Sequence, residues 1–229
     1  MSTVSETSIV VAVDGTSGSG KSSTCRGVAT RLGLRYLDTG AQFRAMTWWL
    51  LRAGVDVHDP VAVAARAGEP RIESGTDPQN PSIHVDGVDV GVEIRSDAVN
   101  ATVSPVSTVP VVRARLLDLQ REIIGAGGIV VEGRDIGSVV WPDAEVKVYL
   151  TADPAARAAR RAAEEGGADL ATTERSLRDR DRIDSGRVAA PLVMPDGAVH
   201  VDTTGYTLEE VIDLVVGLAQ RVPSHREMS

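Results

Sequence analysis

Residues 15–22 read GTSGSGKS and follow directly after the apolar run IVVAVD at 9–14. The stretch satisfies the pattern G-x-x-x-x-G-K-[ST], in which glycines let the backbone curl so that successive amide N–H groups point at phosphate oxygens. The short β-branched run before it is typical of a strand buried on both faces, and a helix is predicted after it at 21–32. Strand, glycine-rich loop and helix together predict a binding site for the phosphates of a nucleotide.

Apolar runs of the same kind recur along the chain and alternate with helical patterns. Short strands are predicted at 35–38, 128–133, 145–150 and 198–202, and a helix at 41–53 follows the first of them. Strands that alternate with helices in this way pair in parallel and are covered by helices on both faces. The sequence therefore predicts an α/β fold.

Capping signals mark the starts of two further helices. Asp153 and Pro154 supply an N-cap and a first-turn proline. Thr207 and Glu210 have the spacing of a capping box and precede the apolar run VIDLVVGL. We expect a helix to begin at each of these two places.

Residues 70–95 interrupt the alternation of strands and helices. Their short alternating stretches are separated by Gly, Pro, Asn and Asp, and SIHVDGVDV at 82–90 reads as strand, Asp-Gly turn and strand. We therefore expect a small antiparallel unit inserted into the α/β core.

Composition limits the classes of partner and compartment. The 229 residues include 24 Lys and Arg against 32 Asp and Glu, and the formal net charge of −8 argues against a general nucleic-acid binder. Cys25 is the only cysteine, so no intrachain disulfide can form. The sequence is therefore compatible with a reducing compartment. No apolar run approaches the roughly 20 residues that span a bilayer, and the first residues lack the basic start of a signal peptide. We expect a cytoplasmic protein without nucleic-acid or membrane partners, and nothing in the sequence demands more than a monomer.

The third buried strand ends in VEGRD at 131–135, which helps to separate the classes of P-loop protein. A GTPase would need a guanine-reading N-K-x-D tetrapeptide, and the sequence has none. Ligands of open α/β sheets bind at the carboxyl edge, where Glu132, Arg134 and Asp135 would lie beside the loop. Arginine suits a phosphate oxygen, and the carboxylates suit Mg²⁺ or an acceptor. A surface turn with a local ion pair is the alternative.

A second segment also brings arginine to this edge of the sheet. LDTGAQFR at 37–44 ends a strand and begins a helix. It therefore offers Thr39 and Arg44 to an anion near a helix N-terminus.

A third basic segment, SLRDRDRIDSGR, lies at 176–187. Arg180, Asp184 and Arg187 stand there at i, i+4 and i+7, and they would share one helical face if the helix extends that far. A solvated helix with surface ion pairs is the alternative for this segment.

Arginines also precede a polar, glycine-containing segment. Arg157 and Arg161 come just before EEGGADLATT at 164–173, which could form a mobile lid. An otherwise acidic chain thus concentrates arginine in segments that face one phosphate site. Transfer from a nucleotide to a second phosphorylated substrate requires such a pattern, because two polyanions must be brought together.

Five stretches, in matching order and spacing, resemble bacterial cytidylate (CMP) kinases. They are DGTSGSGKSS, YLDTGAQFR, VDVGVEIRSDAVNATVSPVSTVPVVR, VEGRDIGSVVWPDAEVKVYL and DRDRIDSGRVAAPL. The resemblance runs from about residue 9 to residue 215, and the run GVDVGVEIR at 87–95 is typical of the bacterial members.

This resemblance implies a fold, a domain division and an activity. The fold is that of P-loop nucleoside monophosphate kinases, a parallel sheet flanked by helices with a small antiparallel insert domain and a short lid. The implied activity is phosphorylation of CMP and dCMP by ATP with Mg²⁺, so ATP and CMP or dCMP are the expected small-molecule partners. The implied domains are a core at 8–39, 104–156 and 173–222, a monophosphate-binding domain at 40–103 and a lid at 157–172.

The resemblance also implies roles for individual residues. ATP would contact the loop and two lid arginines, namely Gly15, Thr16, Ser17, Gly18, Ser19, Gly20, Lys21, Ser22, Ser23, Arg157 and Arg161. CMP would contact Thr39, Phe43, Arg44, Ser104, Arg113, Arg134, Asp135, Arg180, Asp184 and Arg187. Catalysis is implied for Lys21, Arg134, Asp135 and Arg180, and ligation of Mg²⁺ for Ser22 and Glu132.

Two positions depart from the family's pattern. Thr16 stands where proline is frequent, and Phe43 replaces a frequent tyrosine, so any hydroxyl contact made there is missing. A kinase for UMP, AMP or shikimate remains an alternative. A nucleotide-sensing module without catalytic activity is the alternative from another class.

Overall fold

The computed structural model describes residues 8–164, 169–187 and 190–222, which form two sheets and eight α-helices. The strands are β1 (Val10–Gly15), β2 (Arg35–Asp38), β3 (Ile72–Ser74), β4 (Ile83–Val85), β5 (Val88–Asp89), β6 (Ile129–Glu132), β7 (Val146–Thr151) and β8 (Val199–Asp202). The α-helices are α1 (Lys21–Leu32), α2 (Thr39–Arg52), α3 (Pro60–Arg66), α4 (Asp97–Thr108), α5 (Pro110–Ile124), α6 (Pro154–Glu164), α7 (Leu170–Ser185) and α8 (Leu208–Ala219). Short 3₁₀ and π turns lie at Glu93–Arg95 and Ile136–Val140.

The larger sheet has five strands in the order β2-β6-β1-β7-β8, and every pair of neighbours is parallel. β1 lies at its centre, with Val10 opposite Ile129 of β6 and Val11 opposite Val146 of β7. The carboxyl ends of the strands therefore meet at one edge, where the loops after β1, β2 and β6 lie side by side. This parallel sheet, with the small antiparallel sheet described below, confirms the predicted α/β fold class.

Helices cover both faces of this sheet, which explains why its strands read as nearly continuous apolar runs. On one face, Val11 packs in a cluster with Val28 of α1 and Ile212 of α8. On the other face, Val10 packs in a cluster with Ile124 of α5. Successive side chains of β1 thus pack on opposite faces of the sheet, as the pleat of a strand requires.

A second apolar cluster lies apart from the large sheet. It joins Met46 and Leu50 of α2 to Ile83 of β4, Val106 of α4 and Leu116 of α5. The region that follows β2 in the chain therefore has a core of its own. The predicted division at 39/40 and 103/104 stays a prediction, and α5 contributes to both cores.

The predicted antiparallel unit is present as a three-stranded sheet in the order β3-β4-β5. Asp86 and Gly87 connect β4 to β5 with φ of 52° and 80°, and two positive φ angles are typical of a type I′ hairpin turn. Hydrogen bonds from Tyr36 and Arg26 fasten the segment between β3 and β4 to the α/β core. The Tyr36 N–H donates to the Thr76 carbonyl at 2.9 Å, and Arg26 of α1 donates to the carbonyl of Pro78 at 2.9 Å.

The predicted helix starts are confirmed by their capping contacts. The Asp153 carboxylate accepts an amide hydrogen bond from the first turn of α6, and Thr207 with Glu210 forms the expected capping box. α2 begins at Thr39, two residues before its predicted start, because the Asp38 side chain caps it. α3, α4 and α5 were not predicted.

The helix that carries Arg180 does not extend as far as Arg187, which was the condition for a shared helical face. α7 ends at Ser185, and Gly186 follows as its C-cap. Arg180, Asp184 and Arg187 therefore do not share one helical face. Arg187 lies beyond the helix and still pairs with Asp184 across the helix end.

The predicted lid corresponds to the junction of α6 and α7, which pack against each other. Residues 165–168 of this segment lie outside the described residues. Among the helices that the structure describes, none combines the length and the hydropathy needed to cross a membrane.

The second core predicts a matched pair of stability effects. Leu50 is fully buried, and Leu50→Ala should lower the free energy of unfolding by about 2–5 kcal/mol, because it removes apolar contacts and leaves a cavity. Val61 lies in the same region with 75% of its surface exposed, and Val61→Ala should change that energy by no more than about 0.5 kcal/mol. Denaturant unfolding measures both variants, and equal effects would contradict the packing described here.

Candidate active site

The glycine-rich loop joins β1 to α1, and glycines give it a backbone that other residues rarely adopt. Gly15, Gly18 and Gly20 have φ of 144°, 73° and 87°. A Cβ on Gly15 would stand 2.0 Å from the carbonyl oxygen of Leu150, so the loop begins in direct contact with β7. α1 has no side-chain cap at its N-terminus. Its first amides are therefore available to an anion.

Lys21 folds back over this loop. Its Nζ donates to the carbonyl oxygens of Gly15 at 2.9 Å and Thr16 at 2.6 Å, and it stands 3.5 Å from Ser19 Oγ. Burial, and then the nearby Arg134, lower the pKa of Lys21. A phosphate oxygen would be a stronger partner for this ammonium than the neutral carbonyls, because the hydrogen bond would be charge-assisted on both sides.

Two helices grip the backbone of Ser17 within the loop. The Ser17 N–H donates to Asp181 Oδ1 of α7 at 3.0 Å, and the Ser17 carbonyl accepts from Arg157 Nη1 of α6 at 3.0 Å. Arg157 also pairs with Asp181. One of the two predicted lid arginines is therefore buried against the loop, and its partner Asp181 was not predicted.

The two predicted magnesium ligands are in contact. Ser22 Oγ donates to Glu132 Oε2 at 3.0 Å, and the Tyr36 hydroxyl donates to the other carboxylate oxygen. The Thr39 hydroxyl donates to the Glu132 carbonyl at 2.8 Å. Burial, and then the Asp38 carboxylate, raise the pKa of Glu132.

Hydroxyl and carboxylate oxygens are the hard ligands that Mg²⁺ prefers, so this pair fits the ion. Within the described ranges, no cluster of three or more His, Cys, Asp or Glu could hold a metal. Mg²⁺ here would take its remaining ligands from water and from substrate phosphates, which is its usual mode in kinases.

Arg44 of α2 is held by the segment that follows the antiparallel sheet. Its Nη1 donates to the Ile94 carbonyl at 3.1 Å and to Asn100 Oδ1 at 2.6 Å. Burial, and then Arg161, lower the pKa of Arg44 to about 10. Asn100 was not predicted as part of the site.

Arg134 follows β6 and reaches across to the glycine-rich loop. Its Nη1 donates to the Gly15 carbonyl at 2.6 Å, and its Nη2 donates to Ser17 Oγ at 2.7 Å. Its Nε also lies 3.1 Å from Asp184 Oδ2. One arginine thus links the loop, the turn after β6 and α7.

Arg113 and Asp135 form an ion pair on the side of the site that faces α5. The guanidinium of Arg113 lies over the Phe43 ring, 5.5 Å from its centroid. Burial raises the pKa of Asp135, and Arg113 opposes that rise. Phe43 therefore acts here through its ring face, for which no hydroxyl is needed.

Arg187 anchors the end of α7 to α4. It pairs with Asp184 and donates to Ser107 Oγ at 2.8 Å. The Ser107 hydroxyl in turn donates to the Ser104 carbonyl at 2.8 Å. Ser107 was not predicted, because its role as an acceptor for Arg187 depends on the packing of two helices distant in the chain.

Arg180 is a basic side chain of the cleft that an anion would stabilise. Its Nε is buried and has no hydrogen-bond partner. Burial, and then the neighbouring Arg44, lower its pKa to about 9.

These side chains line one cleft that opens to solvent. The predicted residues that line it are Ser17, Gly18, Lys21, Ser22, Thr39, Phe43, Arg44, Ser104, Arg113, Glu132, Arg134, Asp135, Arg161, Arg180, Asp184 and Arg187. Gly20 and Ser23 line an adjoining recess at the start of α1. Gly15, Thr16, Ser19 and Arg157 are not among the lining residues of either space.

Several residues that shape the cleft were not predicted from the sequence. Asp181 lies in the run DRDRID at 179–184. The alternating charges of this run drew attention to the segment but did not single out Asp181. Arg95 lines the cleft from the 3₁₀ turn after the antiparallel sheet. Asp14 precedes the loop directly, and its carboxylate accepts the N–H groups of Ile136 and Gly137.

The chain is similar in sequence to a known family of proteins. The family model described as cytidylate kinase matches residues 11–221. A cytidylate kinase of Streptomyces griseus is 56% identical over 225 residues, which cover 96% of this chain and 97% of that protein. A cytidylate kinase of Streptomyces avermitilis is 55% identical over 214 residues, which cover 93% of each chain.

A solved structure, shikimate kinase from Acinetobacter baumannii in complex with shikimate, aligns with a TM-score of 0.47 at 14% identity and covers 98% of this chain and 97% of that one. The family match and the two Streptomyces relatives each extend over most of the chain, and they confirm the resemblance drawn from the sequence. The chain therefore belongs to the cytidylate kinase family, whose members are nucleoside monophosphate kinases.

Proposed function

We propose that this protein transfers the γ-phosphoryl group of ATP to CMP and dCMP, giving CDP and dCDP, with Mg²⁺ as cofactor. The observation that carries the proposal is the convergence of Lys21 and of arginines from several elements on one cleft beside the glycine-rich loop. Two polyanions repel each other, so bringing them together needs positive charge of this density. Membership of the cytidylate kinase family supports CMP as the acceptor.

On the donor side, the loop amides and Lys21 would bind the phosphates of ATP. Lys21 would exchange the carbonyls of Gly15 and Thr16 for oxygens of the β- and γ-phosphates. Ser22 and Glu132 would hold Mg²⁺, which when bound neutralises charge on those phosphates.

On the acceptor side, Arg44, Arg134 and Arg180 would bind the phosphate of CMP. Arg180 supports this role because its buried Nε lacks a partner and its pKa is depressed by burial and by Arg44. A dianion at this point would stabilise the charged form of all three guanidinium groups.

The cytosine ring would lie beside the Arg113–Asp135 pair and near Arg187. Asp135 and Ser104 are the candidates for the 4-amino edge of the base, and the two arginines are the candidates for O2 and N3. Their burial supports selectivity, because a base that left these groups without partners would bind less tightly.

The reaction needs no covalent enzyme intermediate. An acceptor phosphate oxygen attacks the γ-phosphorus in line while the bond to the β,γ-bridging oxygen breaks and its electrons go to ADP. Lys21 and the arginines orient both phosphates and stabilise the charge of the transition state. Closure of the α6–α7 junction over ATP would exclude water and suppress hydrolysis.

A panel of acceptors tests this proposal directly. With ATP and Mg²⁺ in a coupled assay of ADP release, we expect CMP and dCMP to be phosphorylated at least tenfold faster than UMP or AMP, and shikimate not at all. A faster reaction with UMP, AMP or shikimate would overturn the choice of acceptor. Binding of ATP without transfer to any acceptor would indicate a nucleotide-sensing module instead.

Lys21 should be required for turnover and not for folding. Lys21→Ala should lower kcat at least 100-fold, because it removes a transition-state contact of about 3 kcal/mol. Lys147, the other lysine of the chain, donates to the Asp196 carbonyl and is not among the residues that line the cleft, so Lys147→Ala should keep normal turnover. Near-normal turnover of a folded Lys21→Ala variant would contradict the role proposed here for the glycine-rich loop and Lys21.

We expect substitutions of Arg134 and Arg187 to affect different kinetic constants of the acceptor. Arg134→Met should lower kcat for every acceptor, since each carries the same phosphate. Arg187→Met should raise KM for CMP at least tenfold and leave KM for ATP within threefold, because Arg187 lies on the side of the base. Steady-state kinetics with each substrate varied in turn measure both effects.

Arg182→Met is the matched control for these variants, because the Arg182 side chain lies on α7 with 79% of its surface exposed. Its kinetic constants should stay within twofold of those of the unmodified protein. A rise in KM for ATP with KM for CMP unchanged in Arg187→Met would show that the end of α7 serves the donor.

A further inference from the structure

Asp14 is a buried carboxylate at the point where β1 ends and the glycine-rich loop begins. None of its surface is exposed. Its Oδ1 accepts the N–H of Ile136 at 2.7 Å and its Oδ2 accepts the N–H of Gly137 at 2.8 Å. Both donors follow Arg134 and Asp135 directly in the chain, so one side chain joins the donor loop to the turn assigned to the acceptor.

Hydrogen bonds to β1 hold the backbone on both sides of Arg134 and Asp135. The N–H of Gly133, on the near side of the turn, donates to the carbonyl of Val13 at 3.0 Å. Consecutive residues of β1 therefore hold the turn at both ends, and the two residues between them project side chains into the cleft. We propose that Asp14 is a positioning residue that sets the placement of Arg134 and Asp135 relative to the bound ATP, a role that rests on the proposed function.

The stability of the fold does not explain why an aspartate occupies position 14. The four preceding residues of β1, Val10 to Val13, are all apolar and buried. Burial of a carboxylate among them is unfavourable, and it raises the pKa of Asp14 to about 6 even though two amides donate to it. The carboxylate provides something that an apolar side chain could not, namely two directed hydrogen bonds to a turn that has no regular secondary structure at Asp135.

Loss of Asp14 should affect the binding of CMP and the binding of ATP to different degrees. The loop is held independently by the Thr16 N–H, which donates to the Leu150 carbonyl at 3.3 Å, and by Asp181 and Arg157 at Ser17. The turn is tied to β1 by the Gly133 N–H before Arg134 and by Asp14 after Asp135. The next support, from Arg121 of α5, reaches only the carbonyls of Val139 and Val140. Displacement of reacting groups by about 1 Å is enough to reduce turnover by about 100-fold. Loss of Asp14 should therefore affect CMP and turnover, and largely spare ATP.

The test is Asp14→Asn, which keeps the size of the side chain but replaces one acceptor oxygen with a donor. We expect the dissociation constant of CMP, measured by calorimetry without ATP, to rise at least tenfold and kcat to fall at least tenfold. KM for ATP should stay within threefold. Asp14→Ser, which lacks the misplaced donor, should show the same selectivity if the Asn variant does not fold.

Asp59→Asn is the matched control, because its carboxylate also accepts a backbone N–H, that of Val61 at 2.9 Å, at an exposed helix start away from the cleft. It should leave all kinetic constants within twofold. Equal changes for ATP and CMP in folded Asp14→Asn would overturn the positioning role, as would normal kinetics with a lowered melting temperature. Failure of both Asp14 variants to fold would also overturn it, since the carboxylate would then serve the fold. A wild-type protein that does not phosphorylate CMP would instead overturn the proposed function.

Discussion

Repulsion between basic side chains is the constraint on which the cleft depends. Burial, and then Arg161 beside Arg44 and Arg44 beside Arg180, lower the pKa values of these two arginines to about 10 and about 9. Acidic residues keep the remaining arginines in place: Asp184 contacts both Arg134 and Arg187, while Asp135 pairs with Arg113. These ion pairs hold the arginines in place through contacts within the protein, which reduces the reorganisation needed at the moment of reaction.

The two sides of the cleft differ in how they are built. The glycine-rich loop projects from the centre of a sheet that is covered on both faces, and α6 and α7 hold it through Arg157 and Asp181. The region after β2 has its own apolar core and is tied to the large sheet by polar contacts such as that of Arg26 with the Pro78 carbonyl. Because α5 packs in both cores, apolar as well as polar contacts link the two sides.

The sequence predicted those features whose physical signal is local. The loop, the strands of the large sheet, the Asp86–Gly87 hairpin and the caps at Asp153 and Thr207 depend on neighbours within a few residues, and all are present. The sequence left the end of α7 open, because the charge pattern of 176–187 continues past Gly186, where the helix stops.

What the sequence could not provide were partners set by tertiary packing. Nothing local shows that Asp181 will bind Ser17, or that Asp14 will bind a turn more than 120 residues away. The resemblance to a family supplied most residues that line the cleft. It did not supply Asp14 and Asp181, which hold the turn and the loop and are not among the residues that line the cleft.

The order of strands in the large sheet also bears on how the chain reaches its fold. β1 is completed at residue 15, yet its two neighbours begin only at Ile129 and Val146. The antiparallel unit needs only residues between Ile72 and Asp89. During synthesis the small sheet can therefore form while the first strand is still without a partner, and closure of the large sheet has to wait for long-range pairing, which is intrinsically slow. The apolar segment VVAV of β1 is exposed throughout that interval, which makes it the part of the nascent chain with most need of protection from aggregation.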